Sequence, residues 1–158
     1  MHRELVSVEL ECIPRDMKKT DLTRTLTQLD GKDWGEPPAD ASPYIMNCYQ
    51  VRHKPLKDFK IEDFRIAIGQ DMGLPYLLPL ALDVLYEDPC AEGMHYPGDL
   101  LCNVLRVDKA FYAANPKLKE RVQLVLVEAE KAMKYLDESD AAAMRRALVD
   151  AINQFNAS

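Results

Sequence analysis

Apolar residues recur along this chain mostly at helical spacing, and that pattern sets the first expectation. "LVSVELECI" (residues 5–13) is the exception, with Val6, Val8, Leu10 and Cys12 alternating as in a short strand. Pro14 ends it. In "KTDLTRTLTQLDG" Leu22, Leu26 and Leu29 fall at helical spacing, and Gly31 stands where a helix C-cap belongs. "GKDWGEPPAD" reads as a loop. Ser42 and Pro43 form a strong helix start, with Ile45, Cys48 and Tyr49, and Arg52 beside them, on one face of a helix that ends before Pro55.

A further helix is expected over 61–70, with Glu62 and Asp63 favouring its positive N-terminal end. "GLPYLLPLALDVLYEDP" then reads as a helix starting near Pro75 or Tyr76. Pro79 is tolerated without cost only among the first four positions, whose N–H groups are unpaired anyway. Nearly all of this helix is apolar, which marks it as central, with a thin polar stripe of Tyr76, Asp83 and Glu87. Another helix starts at Pro97, and "VDKAFYAA" gives a short turn. Asn115 and Pro116 open a long helix with Leu118, Val122, Val125, Leu126, Ala129, Met133 and Leu136 in register. Ser139 caps the last, carrying Met144, Leu148, Ala151, Ile152 and Phe155. The expectation is an all-α fold: a single-domain bundle of about six to eight helices with a short N-terminal strand. Its 158 residues suit one domain with a core of its own.

Charge adds a second layer. The net charge is −6, and residues 55–105 alone carry that excess, with 9 acids against 3 bases. No basic footprint for nucleic acid is present. Mild acidity serves solubility in many proteins, but it also suits a basic partner. Asp71, Asp83, Glu87 and Asp88 stand at or near expected helix ends or on the polar stripe, where the helix dipole disfavours several of them. Together with Glu92 in the adjoining loop they form a candidate surface for a cationic partner. Trp34, the sole tryptophan, is either a lid over the core or an interface anchor. Glu36 and Asp40 share its loop.

Chemistry signals are few. The glycines form no phosphate loop or dinucleotide fingerprint, and no hydrolase or metalloprotease motif occurs. Cys12, Cys48, Cys90 and Cys102 fit no disulfide framework and no zinc ribbon, so free thiols in a reducing cytoplasm are expected. Cys90, His95 and Cys102 lack the paired spacing and fourth ligand of a structural zinc site. Asp83 and Glu87, four apart, have no histidine partner for acid–base work. The expectation is a non-enzyme with no metal, no cofactor, no nucleic acid and no membrane contact. The N-terminus lacks a signal-type apolar core, and the longest apolar run is too short and proline-broken to span a bilayer. Oligomeric state is not legible.

"DWGEPP", "KPLKDFKIEDFRIAIGQDMGLPYLLPLALDVLYEDP" and "YPGDLL", in that order, resemble the immunity proteins of bacterial contact-dependent growth inhibition (CDI) systems. The resemblance runs from about Met17 to Leu105 and is strongest from Lys54 to Leu101. Lys60 departs from the small capping residue of the family pattern. Residues 1–16 stand outside it as an extension, leaving 17–158 as the immunity-type domain. The resemblance implies a cytoplasmic protein that binds a toxin C-terminal domain delivered by a neighbouring cell and blocks it without catalysis. Many such toxins are nucleases or otherwise basic, which an acidic inhibitor complements. It supplies no toxin-contact residues. The other readings of the residues are a helical adaptor for an unrelated protein and a small metal-dependent enzyme.

Overall fold

The computed structural model describes residues 20–157. The strand expected over 5–13, the boundary at 16–17 and Cys12 lie outside them. Among the described residues eight α-helices follow one another: α1 (Leu26–Asp30), α2 (Pro43–Arg52), α3 (Ile61–Gly69), α4 (Leu74–Glu87), α5 (Asp99–Leu105), α6 (Lys109–Ala114), α7 (Pro116–Ala132) and α8 (Glu138–Asn156). Short 3-10 turns at Leu56–Asp58 and Met133–Tyr135 precede α3 and α8. The only β pairing among the described residues is a single bridge between Glu92 and Pro97. The fold is all-α.

α4 sits at the centre. Leu77, Leu78, Ala81, Leu82 and Leu85 are wholly inaccessible to solvent. It packs on α3 and α7, while α5 lies between α3 and α8. α4 starts earlier than its prolines suggested. Gly73 is its N-cap, so Pro79 falls inside the helix, beyond the four positions whose N–H groups are free. The bond that Pro79 cannot donate is the local cost of a helix that is buried nearly all round.

Other starts shift by about a turn. α1 is shorter than its leucine spacing implied: Thr25 caps it, exchanging bonds with Gln28, and Leu22 is left exposed in the preceding turn. Its end at Gly31 is as expected (φ 74°). α5 starts at Asp99, not at Pro97, and α8 is capped by Asp137, not Ser139. At α3 the lysine replaces half of a capping box: Lys60 contributes no side-chain bond, but the Asp63 carboxylate accepts from the Lys60 N–H at 2.8 Å.

α3 ends in a reversal that explains Asp71. The Met72 N–H reaches Ala67 O at 2.8 Å and the Asp71 N–H reaches Ile68 O at 3.0 Å. That pairing puts Asp71 at the left-handed position after the helix (φ 56°), where glycine is the usual occupant. An aspartate there meets both backbone strain and the negative end of the dipole. Asp71→Gly is therefore expected to raise stability by about 1 kcal/mol, read as a shifted urea midpoint with unchanged slope. A destabilised variant refutes the assignment.

Cys48, Cys90 and Cys102 are buried and form no disulfide. Burial pushes all three thiols up from their ordinary range. They are expected to react slowly with a thiol reagent in native protein and fully in denaturant; a described cysteine that stays unreactive in denaturant without reductant overturns this.

Candidate interaction surface

α2 (PYIMNCYQVR) mixes apolar and polar residues around its circumference and buries only Cys48, Val51 and Arg52. Tyr44, Ile45 and Met46 remain about two-fifths exposed. Its exposed first turn, the crest, shows Tyr44, Ile45 and Met46 on successive sides of the helix about 100° apart, and a groove lies on each flank with Gln50 on the ridge between them.

One groove, of about 420 Å³, separates α2 from α3 and the loop 92–97, with Tyr44, Lys54, Glu62, Arg65, Met94 and His95 on its walls. The other, of about 380 Å³, lies between α2 and the loop after α1, bounded by Glu36, Pro37, Met46, Tyr49 and His53. Gln50 borders both.

Local chemistry fixes each part. Ser42 accepts from the Ile45 N–H at 3.2 Å and Pro43 opens the helix, which sets the crest's direction. At the other end Arg52 turns inward, 1 % exposed, and donates to Asp30 Oδ1 and Lys32 O, both at 2.7 Å. Trp34 covers this buried pair. Its ring lies 5.1 Å from the guanidinium carbon and meets Tyr49 edge-on at 5.0 Å. Trp34 is thus a lid, over a buried arginine and not over the apolar core. It is still 41 % exposed, so its outer surface extends the crest.

The loop 92–98 is held from beneath. The buried Asp99 carboxylate accepts from the backbone N–H groups of Gly93 (2.7 Å), His95 (3.0 Å) and Tyr96 (3.4 Å). Glu62 accepts from the Met94 N–H at 2.8 Å and from Arg65 at 2.6 and 2.8 Å. A Cβ on Gly93 would meet Glu62 Oε1, so a larger residue there has to displace the carboxylate that holds Met94 and Arg65. Met94, 75 % exposed, stands at the tip.

Arg65 beside Glu62 holds that carboxyl below the usual range. A depressed folded-state value gives stability that is complete above the unfolded value and fades as pH falls through the folded one. Glu62→Gln is expected to remove that part of the acid-side loss, which urea titrations between neutral and acid pH can detect. An unchanged acid profile would refute it.

The sequence-selected acids do not form one patch. Asp71 follows Gln70, whose amide donates to Tyr44 Oη at 2.8 Å, so it borders the crest. Glu92 stands exposed two residues before Met94, and Glu36 and Asp40 are exposed beside Trp34. Asp83 is not on an exposed stripe: it pairs with Arg121 of α7 at 2.9 Å, both side chains largely buried. Asp88 is exposed, but it turns back to accept from the Cys90 N–H at 3.1 Å, and Asp88–Pro89 builds the turn after α4. Glu87 is exposed at the end of α4, next to Tyr86, which lines a separate groove with Leu124 and Val127. Much of the acidity of residues 55–105 therefore has structural work. Glu62, Asp63 and Asp83 answer internal cations, and Asp99 lies 3.9 Å from Arg65 while holding its loop.

Among the described residues no three His, Cys, Asp or Glu side chains converge as a metal site, and Cys90, His95 and Cys102 do not assemble into one. No helix among them is long and apolar enough to cross a membrane. Sequence reasoning missed the crest residues Tyr44, Ile45, Met46 and Met94. The available signal was a ten-residue helix with more apolar residues than one buried face needs.

The family model for CDI immunity proteins matches residues 28–122, well over half of the chain. That span holds both grooves, Trp34, the crest and the loop 92–98. Comparison with curated proteins and with solved structures gives no significant match.

Proposed function

The chain belongs to the CDI immunity proteins, and on that premise we propose that it binds and blocks its cognate toxin C-terminal domain with the crest of α2 and the flanking grooves. It acts in the bacterial cytoplasm, by occupation and without catalysis. The observation that carries this reading is the exposed run Tyr44–Ile45–Met46 with Trp34 and Met94 beside it, all inside the matched segment. Tyrosine, tryptophan and methionine are enriched at interface centres, where enclosed aromatic anchors supply most of the binding energy. The grooves on either side give a partner's side chains somewhere to enter.

The rim is acidic. Glu36, Asp40, Asp71 and Glu92 border the crest and are exposed. Against a basic toxin they steer association and add little to the final contact. A basic toxin, a nuclease among the candidates, fits this rim best. Glu87 and Asp88 lie at the end of α4 and contribute to the long-range field. Asp83, committed to Arg121, belongs to the scaffold.

The test is a titration of the purified toxin domain at low and high salt. Ile45→Ser with Met46→Ser is expected to leave the fold intact and weaken binding at least tenfold, about 1.4 kcal/mol, through faster dissociation. Glu36→Lys with Asp40→Lys is expected to slow association chiefly at low salt. Parent-like affinity in the first variant removes the crest from the interface. A parent association rate that ignores salt removes the steering role.

A further inference from the structure

The second exposed apolar face lies on α7, away from the crest. Leu124 is 64 % exposed and Val127 51 %, and Tyr86 of α4, 49 % exposed, stands beside them. These three and Glu128 border a groove of about 520 Å³. The core-facing positions of α7 are Leu118, Val122, Val125 and Ala129, so Leu124 and Val127 point the other way. Nothing in the helix's own packing accounts for them.

Their neighbours carry the argument. Along the outer face the exposed residues run Glu120, Leu124, Val127 and Lys131, at spacings of four, three and four. That is the rhythm by which two helices pack side by side along a seam. The series is also self-complementary. Rotate a second copy of α7 by 180° about a point between Leu124 and Val127. Leu124 then meets the second copy's Val127, and Glu120 meets its Lys131, each pairing occurring twice. The isologous contact of a two-fold dimer requires this reciprocity.

Two further observations favour a second copy over the toxin. The family match ends at residue 122, so Leu124, Val127 and Lys131 lie beyond it, while Glu120 and Tyr86 lie within it. Residues 106–158 have 8 acids and 9 bases, against 9 acids and 3 bases in 55–105. α7 thus lies in a part of the chain that carries no share of the acidic excess. Lys131 lies 3.3 Å from Glu128 in its own helix, an exposed pair of little strength that leaves the ammonium able to bridge outward.

We propose that α7 is a self-association face, on which two copies of this chain pair antiparallel through Leu124 and Val127 with Glu120–Lys131 contacts at either end. The apolar area is modest, so the dimer is concentration-dependent and not obligate.

Sedimentation velocity of the full chain from about 5 to 500 µM is expected to show a monomer–dimer equilibrium. Leu124→Ser with Val127→Ser, both exposed, is expected to leave a folded monomer throughout. Glu120→Lys alone and Lys131→Glu alone should each weaken dimerisation at least tenfold. The two combined exchange the charges across the seam and should restore it. A parent that stays monomeric overturns the proposal, as does a dimer indifferent to the serine substitutions or a charge-exchanged protein that stays monomeric. A serine variant that loses toxin binding, with a monomeric parent, assigns the face to the toxin instead and equally overturns it.

Discussion

Leu82→Ala and Leu85→Ala are each expected to lower the free energy of unfolding by about 2–5 kcal/mol, measured by urea titration with the slope unchanged. Both side chains are wholly inaccessible to solvent on the helix around which the others pack. Truncation removes three carbon atoms from water-free surroundings and leaves a cavity. α3 and α7 hold α4 from different sides, and α5 is tied to α3, so the space cannot close without moving several helices. A loss below about 1 kcal/mol at both positions would place α4 at the periphery. The size of the effect also matters for function. α3 carries Glu62, which holds the loop of Met94, so a core variant that loosens α4 disturbs the interaction surface without touching it.

Asp83→Lys is expected to cost about 3–5 kcal/mol, far more than a surface charge reversal. Arg121 and Asp83 are 15 % and 11 % exposed, joined at 2.9 Å across the α4–α7 contact. The substitution removes the anion and seats a second cation beside the first. Replacing both partners, Asp83→Leu with Arg121→Met, is expected to be close to neutral, because the uncompensated charge is what costs stability. Glu87→Lys, on an exposed side chain, should cost much less. If Asp83→Lys unfolds at the parent's urea concentration, the pair is not embedded. Weakened toxin binding by a variant reversed at both Asp83 and Glu87 would therefore report damaged packing and not a lost contact.

The helices were legible because their caps and apolar spacing agree. Ser42–Pro43, Gly31, and the Leu118–Val122–Val125–Ala129 series each signal one local outcome, and packing did not overrule them. The start of α8 was misplaced because Asp137, as good a cap as Ser139, accepts from the Asp140 N–H, and the start of α4 because tertiary packing exceeded local preference. Pro79 lies inside a helix because burial of Leu77 and Leu78 outweighs one absent backbone bond. The candidate surface was legible only in part. Trp34, Glu36 and Asp40 stood out as residue types in an odd place. The acids of the central segment also stood out, yet no periodicity reveals that Asp83 has an arginine 38 residues away or that Asp99 collects three N–H groups from its own loop. Net charge counts carboxylates without saying which already have partners. The crest of α2 was hidden for a related reason: exposure depends on which neighbours a helix fails to meet.

The fastening of the loop 92–98 separates what must stay from what is free to change. Gly93, Glu62 and Asp99 fix the path of the backbone, while the side chains of Glu92, Met94 and His95 are exposed and make none of those hydrogen bonds. Mutational drift at the tip is therefore cheap in folding terms, whereas drift at its base is not. On the proposed toxin-binding reading, a lineage built on this scaffold exchanges one opponent for another through substitutions at 92, 94 and 95, keeping a folded ancestor at every step. Randomising positions 92, 94 and 95 as a library, with the base untouched, offers a direct route to inhibitors with new targets.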